Sequence, residues 1–209
     1  MLLDTIEQWF RSLGTIAGLA TLATALVAMF KSLRQPAGRE ERGARFALRI
    51  PVLSLATILF FGFGALLWRP LPLYVPSWLR VILLLVGGLL FFGGLVLYLW
   101  GLHSLGQMFG PSSGFGVRLH ATHRLVTAGP YAHIRHPMYL AVIGVGIGSF
   151  LLYRTWAALC FAVIMLGLVV RARREEKVLA EEFSLEWKVY TSRVPAWFPR
   201  LWVKRENGA

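Results

Sequence analysis

Residues 79–100 read LRVILLLVGGLLFFGGLVLYLW, a run in which Arg80 is the lone charge. Wound as a helix, a stretch of this length is about what is needed to cross a hydrocarbon layer of roughly 30 Å. The whole chain agrees with it, since 56% of its 209 residues are hydrophobic and its mean hydropathy is +0.60. That composition is too apolar for an ordinary soluble domain and reads as an integral membrane protein.

Toward the N-terminus, residues 12–30 form an apolar span rich in small residues (Gly14, Ala17, Gly18, Ala20, Ala23, Ala25), which suit close helix contacts in lipid. Asp4 and Glu7 precede it and no clear small-residue cleavage site follows, so it reads as a retained span and not a secretory signal. A basic loop, 31–49, leads to a second span, 50–68, closed by an interfacial belt of Trp68, Pro70, Pro72, Tyr74, Pro76 and Trp78. Toward the C-terminus a polar stretch, 101–136, precedes two shorter apolar runs, 137–153 and 155–170, parted by Arg154 alone, which implies a tight helical hairpin. The expected fold class is therefore all-α: one polytopic domain over 1–209 with about five transmembrane helices and a C-terminal interfacial helix. Three spans fall in 1–100, and the polar loop, the hairpin and the C-terminal helix in 101–209.

The net charge of +12 flanks the apolar blocks, where it matches anionic headgroups better than nucleic acid. Five crossings put four Lys and Arg residues on one side and eighteen on the other, so the polar loop and the tail are expected together in the cytoplasm. The single cysteine, Cys160, lies inside an apolar run and reads as a packing residue.

Two polar elements then converge on that face. Residues 120–139, HATHRLVTAGPYAHIRHPMY, collect four histidines, two arginines, a Gly129-Pro130 turn and two tyrosines, with Pro137 placed where a helix would begin. Residues 171–195, RARREEKVLAEEFSLEWKVYTSRVP, continue the fifth span as a helix stopping by Pro195, with Arg171 and Glu175 four apart on one face. A plainer reading makes the tail an amphipathic helix lying on the membrane. Glu176, Glu181 and Glu182 are expected to be solvated, Tyr131 and Tyr139 can serve as interface anchors, and Gly144, Gly146 and Gly148 are expected to allow close helix approach. The His120–His123 and His133–His136 spacings bring no cysteine, and the loop has no acidic residue, so no metal site is assigned.

His123-Arg124-Leu125-Val126, Gly129-Pro130-Tyr131, Arg135-His136-Pro137-Met138-Tyr139, Arg171 with Glu175-Glu176, and a closing Phe183, Trp187, Tyr190 and Arg193-Val194-Pro195 resemble the isoprenylcysteine carboxyl methyltransferase family of membrane enzymes. Phospholipid N-methyltransferases are similar over the same block, about residues 105–200. The chain departs from the pattern at Glu186-Trp187, where a Glu-Tyr pair is more usual, and at Ser184, which replaces a common glycine. The resemblance implies S-adenosylmethionine as methyl donor and a lipid-like acceptor entering from the bilayer. It places cofactor contacts on His123, Arg124, Leu125, Val126, Tyr131, His136, Pro137, Met138, Tyr139 and Glu175, and an acceptor-binding arginine on Arg171. Arg171 and Glu175 are the expected catalytic pair.

The chemistry agrees with those residue types. A carboxylate such as Glu175 can pair with an amino group or ribose hydroxyls, and histidine or tyrosine can donate to a carboxylate. A carboxylate acceptor is already ionised at neutral pH and needs no base, whereas an amine must lose a proton. Arg171 therefore favours carboxyl O-methylation of the isoprenylcysteine kind, with phospholipid amine N-methylation as the alternative. Two other classes stand beside these: an NADPH-dependent sterol-type reductase, which also carries an Arg-His-Pro-x-Tyr segment, and a non-catalytic membrane protein. The acceptor's identity and the oligomeric state are not legible in the chain.

Overall fold

The computed structural model describes residues 1–34, 37–40, 50–109, 118–120 and 124–199. They form six helices, α1 (Leu2–Leu33), α2 (Ile50–Leu66), α3 (Ser77–Leu105), α4 (Pro137–Tyr153), α5 (Trp156–Leu166) and α6 (Leu168–Arg193), with two short strands, β1 (Ala37–Glu40) and β2 (Arg118–His120). The fold is helical, as the composition requires. Three helical stretches are long and apolar enough to cross a membrane: Leu2–Ser32, Ser77–Met108 and Trp156–Arg193. Ser54–Leu66 and Pro137–Tyr153 are shorter apolar helices.

The bundle is organised on α3 and α4. Leu84, Phe91 and Leu95 of α3 bury themselves against Leu152 of α4, and Phe10, Ala17, Phe92, Val145 and Tyr153 pack around them. The two backbones approach so closely that a Cβ added at Gly148 would stand 2.5 Å from the Phe91 nitrogen, and one at Gly94 2.8 Å from the Ala141 carbonyl oxygen. Gly146 faces Ala162 of α5 in the same manner, while Gly144 has only an ordinary contact at 3.5 Å. Small residues thus do here what they do in lipid, where packing and not water exclusion joins helices.

Connections fix which helix ends share a face. β1 and β2 pair antiparallel, Ala37 opposite His120 and Glu40 opposite Arg118, so the loops after α1 and α3 meet on one side. On the other side the segment after α2 straps the α4–α5 turn: the Leu71 amide donates to the Arg154 carbonyl at 2.9 Å and the Trp156 amide to the Arg69 carbonyl at 3.1 Å. The turn is as tight as its single charge implies. Arg154 closes α4 in a left-handed conformation (φ 51°), and Thr155 caps α5 by accepting from the Ala158 amide at 3.2 Å.

Candidate functional site

On the face shared by the end of α3, the start of α4 and α6, the chain between α3 and α4 folds down onto three supports. Gly129 takes a positive φ of 60°, which opens the turn over Gly129–Ala132 and lays it against α3. The fit is close: a Cβ at Gly129 would stand 2.2 Å from the Ser104 Oγ, and one at Gly101 2.7 Å from the Met138 Cγ and 3.7 Å from the Tyr131 hydroxyl. Pro130 and Pro137 are fully buried, and α4 starts at Pro137, where a missing N–H costs nothing.

The second support is the tail. α6 breaks its helical geometry at Ser184 (φ 39°, ψ −99°), and beyond it Trp187, Tyr190 and Val194 form a buried cluster with Leu125, Leu179 and Phe183. The Tyr190 hydroxyl donates to the Tyr131 carbonyl at 2.7 Å. The Arg135 and His136 amides donate to the carbonyls of Pro195 and Ala196 at 2.9 and 3.1 Å. The chain following α6 thereby pins the two residues that precede α4.

The third support is a pair of adjacent carboxylates on α6. Glu176 accepts from the Arg135 guanidinium at 3.0 Å and meets His136 Nε2 at 2.9 Å, while the His136 ring stacks on Tyr139 with centroids 5.6 Å apart. Glu175 accepts from the Tyr139 hydroxyl, and that hydroxyl in turn accepts from Arg171 Nε at 3.0 Å. The Arg171 guanidinium also lies 5.5 Å from the Tyr139 ring centroid. Arg171 and Glu175, one helical turn apart, are thus joined through a residue of α4.

Glu176 corrects the sequence reading. It is not a solvated surface carboxylate: the His136 hydrogen bond and the Arg135 charge hold its pKa below the usual carboxylate range, although burial acts the other way. The apolar part of the α5–α6 run ends at Val170, so this group lies beyond the span. Burial pushes the Tyr131 hydroxyl far up, and the nearby Glu175 carboxylate pushes further, so Tyr131 stays a protonated donor. Tyr190 is raised by burial to about 12.

Of the residues expected at the site, Tyr131, His136, Pro137, Met138, Tyr139, Arg171 and Glu175 come together on this one face. Arg124 is exposed with its amide on the Met108 sulfur at 3.4 Å, and Leu125 packs into the tail cluster. Val126 is half-buried, and His123 lies outside the described residues. Sequence reasoning missed Arg135 and Gly101. Arg135 sits 5.8 Å from the Trp187 ring centroid, and its Nε is buried with no hydrogen-bond partner among the described residues. The signal available for it was its place beside His136.

Residues 82–186 match the family described as phospholipid methyltransferase, which covers α4, α5, most of α3 and the part of α6 that carries both carboxylates. The chain is 38% identical over 86 residues to the cobalt-zinc-cadmium resistance protein CzcN of Cupriavidus metallidurans, a stretch covering 39% of this chain and 38% of that protein. It is 38% identical over 85 residues to the nickel-cobalt-cadmium resistance protein NccN of Alcaligenes xylosoxydans xylosoxydans, covering 40% and 39%.

Proposed function

Because the chain belongs to the phospholipid methyltransferase family, a family of membrane methyltransferases, we propose that it transfers a methyl group from S-adenosylmethionine to a lipid-like acceptor arriving from the bilayer. The observation that carries this reading is the Arg171–Tyr139–Glu175 chain of hydrogen bonds beside the buried Tyr131 hydroxyl. The donor set suits the cofactor. A zwitterion with a ribose asks for a carboxylate and for N–H or O–H donors together, and Glu175, Tyr131, Tyr139 and the Arg135 Nε, which has no partner among the described residues, provide both kinds. Pro137 and Met138 open α4 beside these groups. The bundle is read as five crossings, with this site on the cytoplasmic side where the basic residues gather.

S-adenosylmethionine, when bound, supplies a methyl group already activated by a positive sulfur. What remains for the protein is to orient the partners and keep water out. Arg171, fixed by the Tyr139 hydroxyl, would hold an acceptor carboxylate by two parallel N–H donors. Glu175 would fix the far side of the pocket, its own orientation set by Tyr139. Glu176 acts at one remove, holding Arg135 and His136 so that α4 begins at the right place.

A second reading is N-methylation of a phospholipid amine, favoured by the description of the matched family. Glu175 would then receive the proton that the amine must lose. One experiment addresses both readings. Membranes holding the protein are given radiolabelled methyl donor and the lipid product is treated with base. A base-labile label identifies an ester and a stable one an amine. No lipid label at all, together with no rise in melting temperature on adding S-adenosylmethionine, overturns the methyltransferase reading, since a ligand selective for the folded state must stabilise it. NADPH serves as the control ligand.

A further inference from the structure

On the opposite side of the bundle from the candidate site, three arginines from three separate segments converge on one carboxylate. Glu7, 5% exposed, accepts from Arg154 at 2.5 Å, from Arg80 at 3.0 Å and from Arg11 at 3.2 Å. Arg80 also reaches Asp4 at 2.6 Å, and Arg11 Nε donates to the Leu152 carbonyl at 2.9 Å. Three guanidiniums thus face two carboxylates, leaving a surplus positive charge where α1, α3 and the α4–α5 turn meet. The surplus cation is available to a further anion arriving at the membrane surface.

Arg154 makes this sharper. It occupies a left-handed backbone position that glycine or asparagine would fill at lower cost, and its backbone is already held by the strap from Leu71. What arginine brings to this position is its side chain. Among the described residues that side chain makes one hydrogen bond, through Nη2, so most of its five N–H donors are uncommitted.

A cleft of about 350 Å³ opens beside the cluster, lined by Asp4, Glu7, Gln8, Arg11, Ser12 and Arg80. Its wall adds an amide and a hydroxyl to the Arg11 and Arg80 guanidiniums beside the two carboxylates, and Arg154 adjoins it through its ion pair with Glu7. The exposed Trp68 and Tyr74 lie on the segment joining α2 to α3 and the exposed Trp78 in the first turn of α3, at this same end, as rings do at headgroup depth. We propose that Arg11, Arg80 and Arg154, with Gln8 and Ser12, form a phosphate-binding site for a phospholipid headgroup in the leaflet opposite the candidate active site. The ligand chemistry is a phosphate oxyanion held by guanidinium forks, the pairing for which arginine geometry is best suited. The site works without the methyl-transfer machinery, so it stands or falls separately from it.

The experiment is native mass spectrometry and thermal unfolding of the full chain in detergent. Phosphatidylglycerol, diacylglycerol with the same acyl chains, and inorganic phosphate are added in separate arms. Phosphatidylglycerol should be retained and should raise the unfolding temperature, and diacylglycerol should not. An equal rise with inorganic phosphate identifies free phosphate as sufficient and upholds the oxyanion site. Arg154→Asn, which suits the left-handed backbone, and Ser12→Phe, which fills the cleft without touching an ion pair, should each abolish the shift. Arg171→Gln should leave it intact. Equal shifts with diacylglycerol, persistence of the shift in Ser12→Phe, or its loss in Arg171→Gln would overturn the proposal.

Discussion

The Tyr139 hydroxyl stands between two residues of the neighbouring helix, giving its proton to Glu175 and accepting from Arg171. Removing it should cost more than removing a packed ring edge, because two charged groups lose their common partner. Tyr139→Phe is expected to lower kcat/KM for methyl transfer about ten- to a hundredfold, the equivalent of about 1.5–3 kcal/mol for hydrogen bonds to charged groups. Glu175→Gln should do at least as much. Both are measured by label transfer in proteoliposomes, and wild-type rates in both variants would show that the pair does not serve the reaction.

Ser184 holds a backbone conformation that side chains other than glycine rarely adopt, at φ 39° and ψ −99°. Ser184→Gly should therefore stabilise the protein by about 1 kcal/mol, because the relieved strain exceeds the added freedom of the unfolded chain. The unfolding temperature in detergent should rise. A fall would mean that the kink is not strained.

Gly129→Ala meets two obstacles, a positive φ of 60° and a collision with the Ser104 hydroxyl, whose oxygen would lie 2.2 Å from the new carbon. A loss of about 2 kcal/mol or more is expected. Adding Ser104→Ala should recover the collision's share and leave the backbone's share. Full recovery in the double variant would show that the backbone conformation costs nothing there.

Glu176 ties stability to acidity. Its pKa is lowered in the folded protein, so the unfolded chain takes up the proton first as pH falls. Its contribution is present in full above the ordinary carboxylate pKa of 4.5 and is lost below it, as pH falls through the lower folded value. In urea titrations from pH 7 to pH 3 the wild type should hold its contribution down to about 4.5 and then weaken, and Glu176→Gln should lose that part of the slope. An unchanged slope in the variant would place the titration elsewhere.

Much of this was legible because hydropathy is a local property. The apolar run 137–153 became α4 with the expected ends, Pro137 starting its helix, and the run 79–100 became α3, which continues past it to Leu105. The start of α1 was read too late, at residue 12 and not Leu2, since Asp4 and Glu7 look like flanking charges until Arg80 and Arg154 arrive from elsewhere in the chain. The same blindness hid Glu176. Nothing local distinguishes it from Glu181, and only the return of the tail and the 124–136 segment onto α6 supplies Arg135 and His136. The kink had a trace in the family resemblance, where serine at position 184 replaces a common glycine, but its service in folding the tail back required the structure.

One consequence follows from how α5 runs into α6. Only Gly167 separates them, and it keeps right-handed helical angles (φ −60°, ψ −18°), so the two helices form a nearly continuous rod. Arg171 and Glu175 come one and five residues after Val170, the last residue of the apolar run, or about 1.5 and 7.5 Å along that rod at 1.5 Å per residue. Under the proposed function the rod would act as a depth gauge. A lipid-like acceptor would be selected by how far its reactive group sits from the start of its tail, and tails of differing length or branching should serve alike so long as that offset is kept.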